Sequence, residues 1–180
     1  MPAWRNWYHV TGCTYGAWLP GDPRGWRARH HRQHVNGDYK DPPPKGLYDG
    51  LHRHARASAR APTVFLDRRQ RRIALEALVE KLGALGVEVI ATSVDAVHYH
   101  VLGRFADGQV RRAMGQAKGC ASRVLGLQGL AGAVWAKRSR ALPIEDRRHQ
   151  INVFHYIAGH AGKGACAWTF REGIICKPTG

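Results

Sequence analysis

The sequence has few cysteines, and their spacing is not typical of a metal site or a disulfide-rich fold. Four are present among 180 residues, namely Cys13, Cys120, Cys166 and Cys176. They form no C-x-x-C pair and no closely spaced framework, so neither a zinc ribbon nor a secreted disulfide scaffold is indicated. A reducing cytoplasm is therefore the expected compartment.

The sequence also lacks segments that would target it to a membrane. Its first residues, MPAWRNWYH, do not combine a basic region with the apolar core of a signal peptide. No later apolar run approaches the length that is needed to cross a bilayer. We expect a soluble, cytoplasmic protein of one domain, long enough to bury a core of its own.

Acidic residues are scarce compared with basic ones. The chain has 13 Asp and Glu against 28 Lys and Arg, which gives a net charge of +15. The basic residues are spread along the whole chain, as is typical of proteins that bind a phosphate backbone. An anionic membrane surface is the weaker alternative because no basic amphipathic anchor stands out, and a merely soluble basic protein is the other alternative.

The hydrophobic pattern predicts a mixed α and β domain. The clearest helix has Leu75, Leu78 and Leu82 on one side and Asp67 as its N-cap. The predicted elements are strands over residues 4–15, 87–94, 97–105 and 134–142, helices over 66–85, 107–127 and 144–160, and a possible edge strand within 165–170. This order predicts an α+β fold, a ferredoxin-like split βαβ sandwich with two helices on one face of an antiparallel sheet and a third helix after it.

Residues 19–62 have no sustained hydrophobic period. They include three consecutive prolines, five histidines and seven arginines, which predicts a long loop or insertion within a single domain of residues 1–180. The aromatic and basic side chains suit stacking on unpaired bases, but a solvated and partly disordered insertion fits them equally well. His52 and His54 form a His-x-His pair without apolar flanks, so we expect no metal site there.

A second His-x-His pair lies within the predicted strand over 97–105. Side chains alternate along a strand, so His98 and His100 share one face while Tyr99 and Val101 share the other. Two imidazoles on one rigid element can hold one metal ion. Taken alone, the pair fits equally a half-buried strand whose histidines meet solvent or hydrogen-bond nearby.

The predicted third helix has two distinct faces. An apolar stripe contains Val153, Phe154 and Ile157, and a polar face contains His149, Asn152, Tyr156 and His160 at helical spacing. Tyr156 and His160 are therefore expected one turn apart. A tyrosine that only hydrogen-bonds locally is the alternative for Tyr156.

These residues resemble the single-tyrosine HUH transposases, a family that includes the REP-associated tyrosine transposases. His98-Tyr99-His100 is similar to the family's histidine-hydrophobic-histidine motif, and Tyr156 stands where the family has its nucleophile. Four residues later the family usually has Gln or Asn, where this chain has His160. An imidazole can also bind a divalent metal, so the change concerns which metal is preferred.

The resemblance implies a metal-dependent transposase that nicks and rejoins single-stranded DNA. Tyr156 would attack phosphorus to form a 5′-phosphotyrosine, and His98, His100 and His160 would hold one Mg²⁺ or Mn²⁺ ion. It further implies a bacterial cytoplasmic enzyme that acts at the nucleoid, a homodimer, and a hairpin-forming DNA substrate. The residues expected to bind DNA are Trp18, Arg24, Trp26, Arg27, Arg104, Arg111, Arg112, Lys118, Asn152 and Lys163.

Two other functions remain open at this point. One is a domesticated nucleic-acid-binding protein that keeps the fold and charge without catalysis. The other is a metal-independent 2H-type phosphoesterase, which needs two His-x-Thr/Ser tetrads. His98 is followed by His100 and no second tetrad is present.

Overall fold

The computed structural model describes residues 4–24, 26 and 43–176. Packing divides the chain into two compact units, one made of Met1–Thr14 with Phe65–Gly180 and the other of Tyr15–Val64. A single domain with an insertion remains a prediction. Among the described residues, no helix is both long and apolar enough to cross a bilayer.

The first unit is built on a six-stranded sheet in which every pair of neighbours is antiparallel. The strands are β1 (Trp7–Thr14), β2 (Glu88–Val94), β3 (His98–Arg104), β4 (Trp135–Pro143), β5 (Cys166–Thr169) and β6 (Gly173–Cys176). Their order across the sheet is β4-β1-β3-β2-β5-β6. The predicted α+β fold is confirmed.

Four α-helices accompany these strands in the described part of the chain. They are α1 (Asp49–Ala57), α2 (Arg68–Ala84), α3 (Val110–Leu127) and α4 (Arg147–Gly159), and a 3₁₀ helix (His160–Lys163) follows α4 directly. Helix α2 begins with the predicted cap, because Asp67 accepts from the Gln70 N–H at 2.8 Å while the Gln70 side chain accepts from the Asp67 N–H at 3.0 Å.

Helix α4 covers one face of the sheet. Its buried Val153 and Ile157 pack with Leu102 of β3 and Trp7 of β1 in one hydrophobic cluster. Because alternate side chains of a strand share a face, His98 and His100 lie on the same side as Leu102. The face opposite, where α2 and α3 pack, carries Tyr99 and Val101.

The side chain of Tyr99 fits this second face only because β1 has a glycine opposite it. Gly12 pairs with Tyr99 on one side and Ser139 on the other, and a Cβ at Gly12 would collide with the Tyr99 ring. The ring crosses the strand and its hydroxyl lies 2.5 Å from Ser139 Oγ. Burial raises the pKa of Tyr99 to about 12, although the Ser139 hydrogen bond acts in the opposite direction.

The predicted loop over 19–62 is wrong for residues 49–57, which form helix α1. The segment has no hydrophobic period, but it has Asp49 in the first turn and His54 and Arg56 in the last, which complement the helix dipole. His52 and His54 are two residues apart on this helix and so project in different directions. They are not a ligand pair.

The end of the chain departs from prediction in two ways. Strand β6 was not predicted, and β5 lies between β2 and β6 rather than at the edge. Cys166 and Cys176 are directly opposite on this hairpin, with Cα atoms 4.5 Å apart, and their sulfur atoms are bonded. This bond was not predicted, because the hairpin brings together two cysteines that are ten residues apart in the sequence.

Candidate active site

Three histidines from two elements meet on the face of the sheet that α4 covers. His98 and His100 come from β3, and His160 comes from the end of α4, where the 3₁₀ helix begins. One ring nitrogen from each can be chosen so that all three lie within 4.8 Å of one another. The structure thus brings together the three residues that were expected to bind metal.

Tyr156 lies against this cluster, one helical turn before His160. Its ring centroid is 4.8 Å from that of His160 and 5.3 Å from that of His100, in both cases edge to face. The side chain is half exposed, at 50%, whereas His100 and His160 are buried. A nucleophile must be reachable by substrate, and Tyr156 meets that requirement while its neighbours stay fixed by packing.

Burial disfavours the protonated form of all three histidines, because it lowers their pKa values. Burial, with the nearby His160, His9 and His98, lowers the pKa of His100 from 6.5 to about 2. Burial also lowers the pKa of His98 and of His160, although Asp95 acts in the opposite direction on both. A neutral imidazole offers a lone pair to a metal without first losing a proton.

The donor set fits a divalent metal ion. In the described part of the chain, His100 Nε2 and both ring nitrogens of His160 are buried without a hydrogen-bond partner. Leaving buried polar atoms unpaired costs about 1–3 kcal/mol each, so native proteins rarely do so without a ligand or water. His98, His100 and His160 can therefore bind a metal, and imidazole nitrogen suits Fe, Ni, Cu or Zn.

Two residues beside the cluster were missed by sequence reasoning. His9 on β1 lies with its Nε2 3.0 Å from Nδ1 of His100, and the two rings are stacked at 5.2 Å. Asp95, in the turn before β3, has an oxygen 3.7 Å from Nδ1 of His98. His9 lies within the predicted strand over residues 4–15, but nothing in the sequence shows which strand is the neighbour of that strand.

Apart from Lys118, the residues that were expected to bind DNA in the first unit fall into three groups. Lys163 is exposed and close enough to His160 to help lower its pKa. Arg104 is paired with Glu88 at 2.8 Å. Those that are exposed elsewhere are Arg111, Arg112 and Asn152.

The expected exposed position of Lys118 is wrong. Its side chain is buried at the flank of the apolar stripe of α3, and its Nζ donates to the carbonyls of Ala136 at 2.8 Å and Lys137 at 3.2 Å. These carbonyls of β4 satisfy the ammonium group, which explains why it tolerates burial. Lys118 is thus part of the packing between α3 and the sheet.

In the second unit, two of the four residues that were expected to bind DNA make internal contacts. Trp26 is buried beside Tyr48, so its expected stacking on bases is wrong. Arg24 binds Asp22 through its side chain, donates to the Ala17 carbonyl and lies 4.3 Å over the Trp18 ring. Trp18 itself is 48% exposed. Arg27 lies outside the described residues.

No family model and no curated protein matches this sequence. The structure is similar to a solved structure of a REP-associated tyrosine transposase bound to a REP hairpin. The two chains are 11% identical, with a TM-score of 0.50, and the match covers 88% of this chain and 67% of the other. This likeness shows a shared fold, and the resemblance noted from the sequence is supported at that level.

Proposed function

We propose that this protein is a metal-dependent enzyme that nicks and rejoins single-stranded DNA through Tyr156. The observation that carries the proposal is the half-exposed Tyr156 ring, which lies 4.8 and 5.3 Å from two histidines of a three-histidine cluster. A nucleophile next to a metal site is an arrangement that can carry out phosphoryl transfer. The fold shared with a transposase that binds a DNA hairpin supports the same function.

His98, His100 and His160 would hold the ion, for which the resemblance implies Mg²⁺ or Mn²⁺. When bound, the ion would polarise the scissile phosphate and offset the charge that develops on its oxygens. Mg²⁺ prefers oxygen ligands, whereas imidazole nitrogen suits transition metals. Three nitrogen ligands therefore fit Mg²⁺ poorly, and of the divalent first-row metals from Mn to Zn they would hold Mn²⁺ most weakly.

The covalent step exchanges one phosphate ester for another. The Tyr156 oxygen forms a bond to phosphorus as the bond from phosphorus to the 3′-oxygen breaks, and the DNA 3′ of the nick becomes linked as a 5′-phosphotyrosine. The phenol loses a proton to water, and the leaving 3′-oxygen gains one. A 3′-hydroxyl that attacks the phosphotyrosine reverses the step, so rejoining needs no nucleotide cofactor.

Positive charge beside the cluster suits a phosphate backbone. Lys163 acts on His160, and Arg140 of β4 acts on His9, in each case lowering the pKa of the histidine. Arg140 pairs with Thr11, which in turn pairs with His100, so these side chains share one face of the sheet. We propose Arg140 and Lys163 as phosphate contacts at the site, with Asn152, Arg104, Arg111 and Arg112 further along the DNA. A homodimer, which the resemblance implies, belongs to the same proposal.

End-labelled DNA tests the proposal. The protein is incubated with Mn²⁺ and single-stranded oligonucleotides that form hairpins, each labelled at either the 5′ or the 3′ end. We expect the 3′ label to remain with the protein in a denaturing gel and the 5′ label to appear as a shorter free strand.

Tyr156→Phe should abolish the adduct, and Tyr8→Phe, on β1, should not. An adduct that survives in Tyr156→Phe, or one that carries the 5′ label, would contradict the proposed nucleophile. DNA binding without cleavage of any tested strand would favour the non-catalytic alternative.

A further inference from the structure

His9 contacts the metal cluster from a neighbouring strand without being one of its three ligands. Its Nε2 is 3.0 Å from Nδ1 of His100, and the two rings lie 29° from parallel. The register of β1 against β3 pairs His9 with Leu102 and Thr11 with His100, so His9 approaches His100 diagonally on the same face. Both ends of this contact are on paired strands of the sheet, which makes it a fixed feature of the fold.

We propose that His9 is a positioning residue that holds His100 in the tautomer whose Nε2 is free to bind metal. The proposal rests on the metal site proposed above. It assigns His9 the role of a hydrogen-bond acceptor, with its Nε2 receiving the proton on Nδ1 of His100.

The tautomer follows from the atoms that are available. A single proton lies between the two nitrogens, and it belongs either to His9 Nε2 or to His100 Nδ1. If it belonged to His9, a neutral His100 would carry its own proton on Nε2, where it could not bind metal. If it belongs to His100, Nε2 keeps its lone pair, and that nitrogen is the buried one without a partner among the described residues.

The other strand ligand has a different partner for its second nitrogen. Nδ1 of His98 lies 3.7 Å from an Asp95 oxygen, so a carboxylate faces that ligand. His100 instead faces the ring of His9, whose pKa is lowered to about 4 by burial and by the nearby His149, His160 and Arg140. Ligand histidines commonly donate their second N–H to a carboxylate, a backbone carbonyl or water. Loss of that hydrogen-bond acceptor typically costs about 10–100-fold in metal affinity.

Calorimetric titration with Mn²⁺ tests the role of His9 in the full chain. His9→Leu removes the acceptor at similar volume, and we expect binding about 10–100-fold weaker than in wild type. His9→Gln places an amide oxygen near the position of Nε2 and should keep most of the affinity. His155→Leu, at an exposed position of α4, is the matched control and should bind as wild type.

Unchanged affinity in His9→Leu would overturn the proposal, as would equal losses in His9→Leu and His9→Gln, which would indicate a packing role. A second measurement stands even if His9→Leu fails to fold. Long-range ¹H–¹⁵N spectra of the wild type should show His100 protonated at Nδ1, both without metal and with Zn²⁺. Protonation at Nε2 in the metal-free protein would also overturn it.

These measurements distinguish failure of the proposal from failure of the proposed function. The tautomer of His100 and the order of affinities are read without DNA. If the wild type binds Mn²⁺ and His9→Leu binds it weakly, the role of His9 stands even when no phosphotyrosine adduct forms.

Discussion

The two faces of strand β3 both carry buried polar side chains, but they differ in what satisfies them. On the side of α2 and α3, the Tyr99 hydroxyl meets Ser139, and the Lys118 ammonium donates to two carbonyls of β4. On the side of α4, His100 and His160 have ring nitrogens without a partner in the described structure. Thr92 Oγ1 and Trp135 Nε1, on the side of Tyr99, are also buried without a partner among the described residues. What distinguishes the side of α4 is that its histidine nitrogens lie close enough together to share one ion.

The largest expected loss of metal affinity follows from removal of a ligand histidine. His100→Ala or His98→Ala should weaken Mn²⁺ binding by more than the roughly 100-fold that marks the loss of an outer partner, and should abolish nicking. The fold should persist because the sheet and helices pack through other residues. Calorimetry measures the affinity and far-UV circular dichroism checks the fold.

Tyr99→Phe is the control on the opposite face and should bind Mn²⁺ as wild type does. An unchanged Mn²⁺ affinity in His98→Ala or His100→Ala would remove that residue from the ligand set.

A substitution on the face of the sheet that carries Tyr99 should change stability without changing metal binding. Gly12→Ala adds a methyl group that collides with the Tyr99 ring, so the free energy of unfolding should fall by about 1–3 kcal/mol. Urea denaturation measures this loss. Gly119→Ala on α3 meets open space and should leave stability unchanged or slightly higher. Equal stabilities of Gly12→Ala and wild type would show that Tyr99 can move aside.

The neutral histidines predict how stability depends on pH. The pKa of His100 is about 2 in the folded chain against an ordinary value of 6.5, so below pH 6.5 only the unfolded chain takes up its proton. Stability of the metal-free protein therefore falls as the pH falls from 6.5, and His100 alone contributes a loss of about 2 kcal/mol at pH 5.

Urea denaturation at several pH values between 7 and 5 measures this dependence. His100→Asn does not titrate at this position and should show a shallower dependence than wild type. Equal slopes in wild type and His100→Asn would mean that His100 is protonated in the folded chain.

Local periodicity was sufficient to predict half of the site. Period two along β3 placed His98 and His100 on one face, and the helical period placed Tyr156 one turn before His160. Both inferences depend on neighbours within a few residues, where backbone geometry alone decides which side chains meet.

The remaining features depend on contacts between distant parts of the chain. His9 meets His100 across 91 residues, and the sequence does not show that β1 pairs with β3 in that register. Lys118 was expected to bind DNA on the face of its helix away from the apolar stripe, yet it is buried and the carbonyls of β4 satisfy it. The expectation that Trp26 stacks on bases was wrong for a similar reason, since the second unit buries it beside Tyr48.

A smaller change of stability is expected when Tyr99 loses its hydrogen bond but keeps its packing. Tyr99→Phe keeps the ring and removes the bond to Ser139, so the free energy of unfolding should fall by about 1 kcal/mol. Urea denaturation of Tyr99→Phe, Ser139→Ala and the double variant measures the coupling between the two hydroxyls. Additive losses would show that the short contact contributes nothing to stability.

The smallest effect concerns the face along which DNA runs. Arg140 lowers the pKa of His9 and Lys163 lowers the pKa of His160, so both belong to the face of the sheet that carries the site. Arg112 lies on α3, which packs against the other face. Each phosphate contact that is lost should reduce the salt dependence of single-strand binding by about 0.7 in the slope of log K against log salt. We expect that reduction in Arg140→Ala and in Lys163→Ala, a smaller one in Arg112→Ala, and none in Arg72→Ala, whose side chain is paired with Glu76 on α2. A larger change in Arg112→Ala than in Arg140→Ala would mean that DNA follows the helices α2 and α3, and that Tyr156 reaches it only where the strand passes around the edge of the sheet.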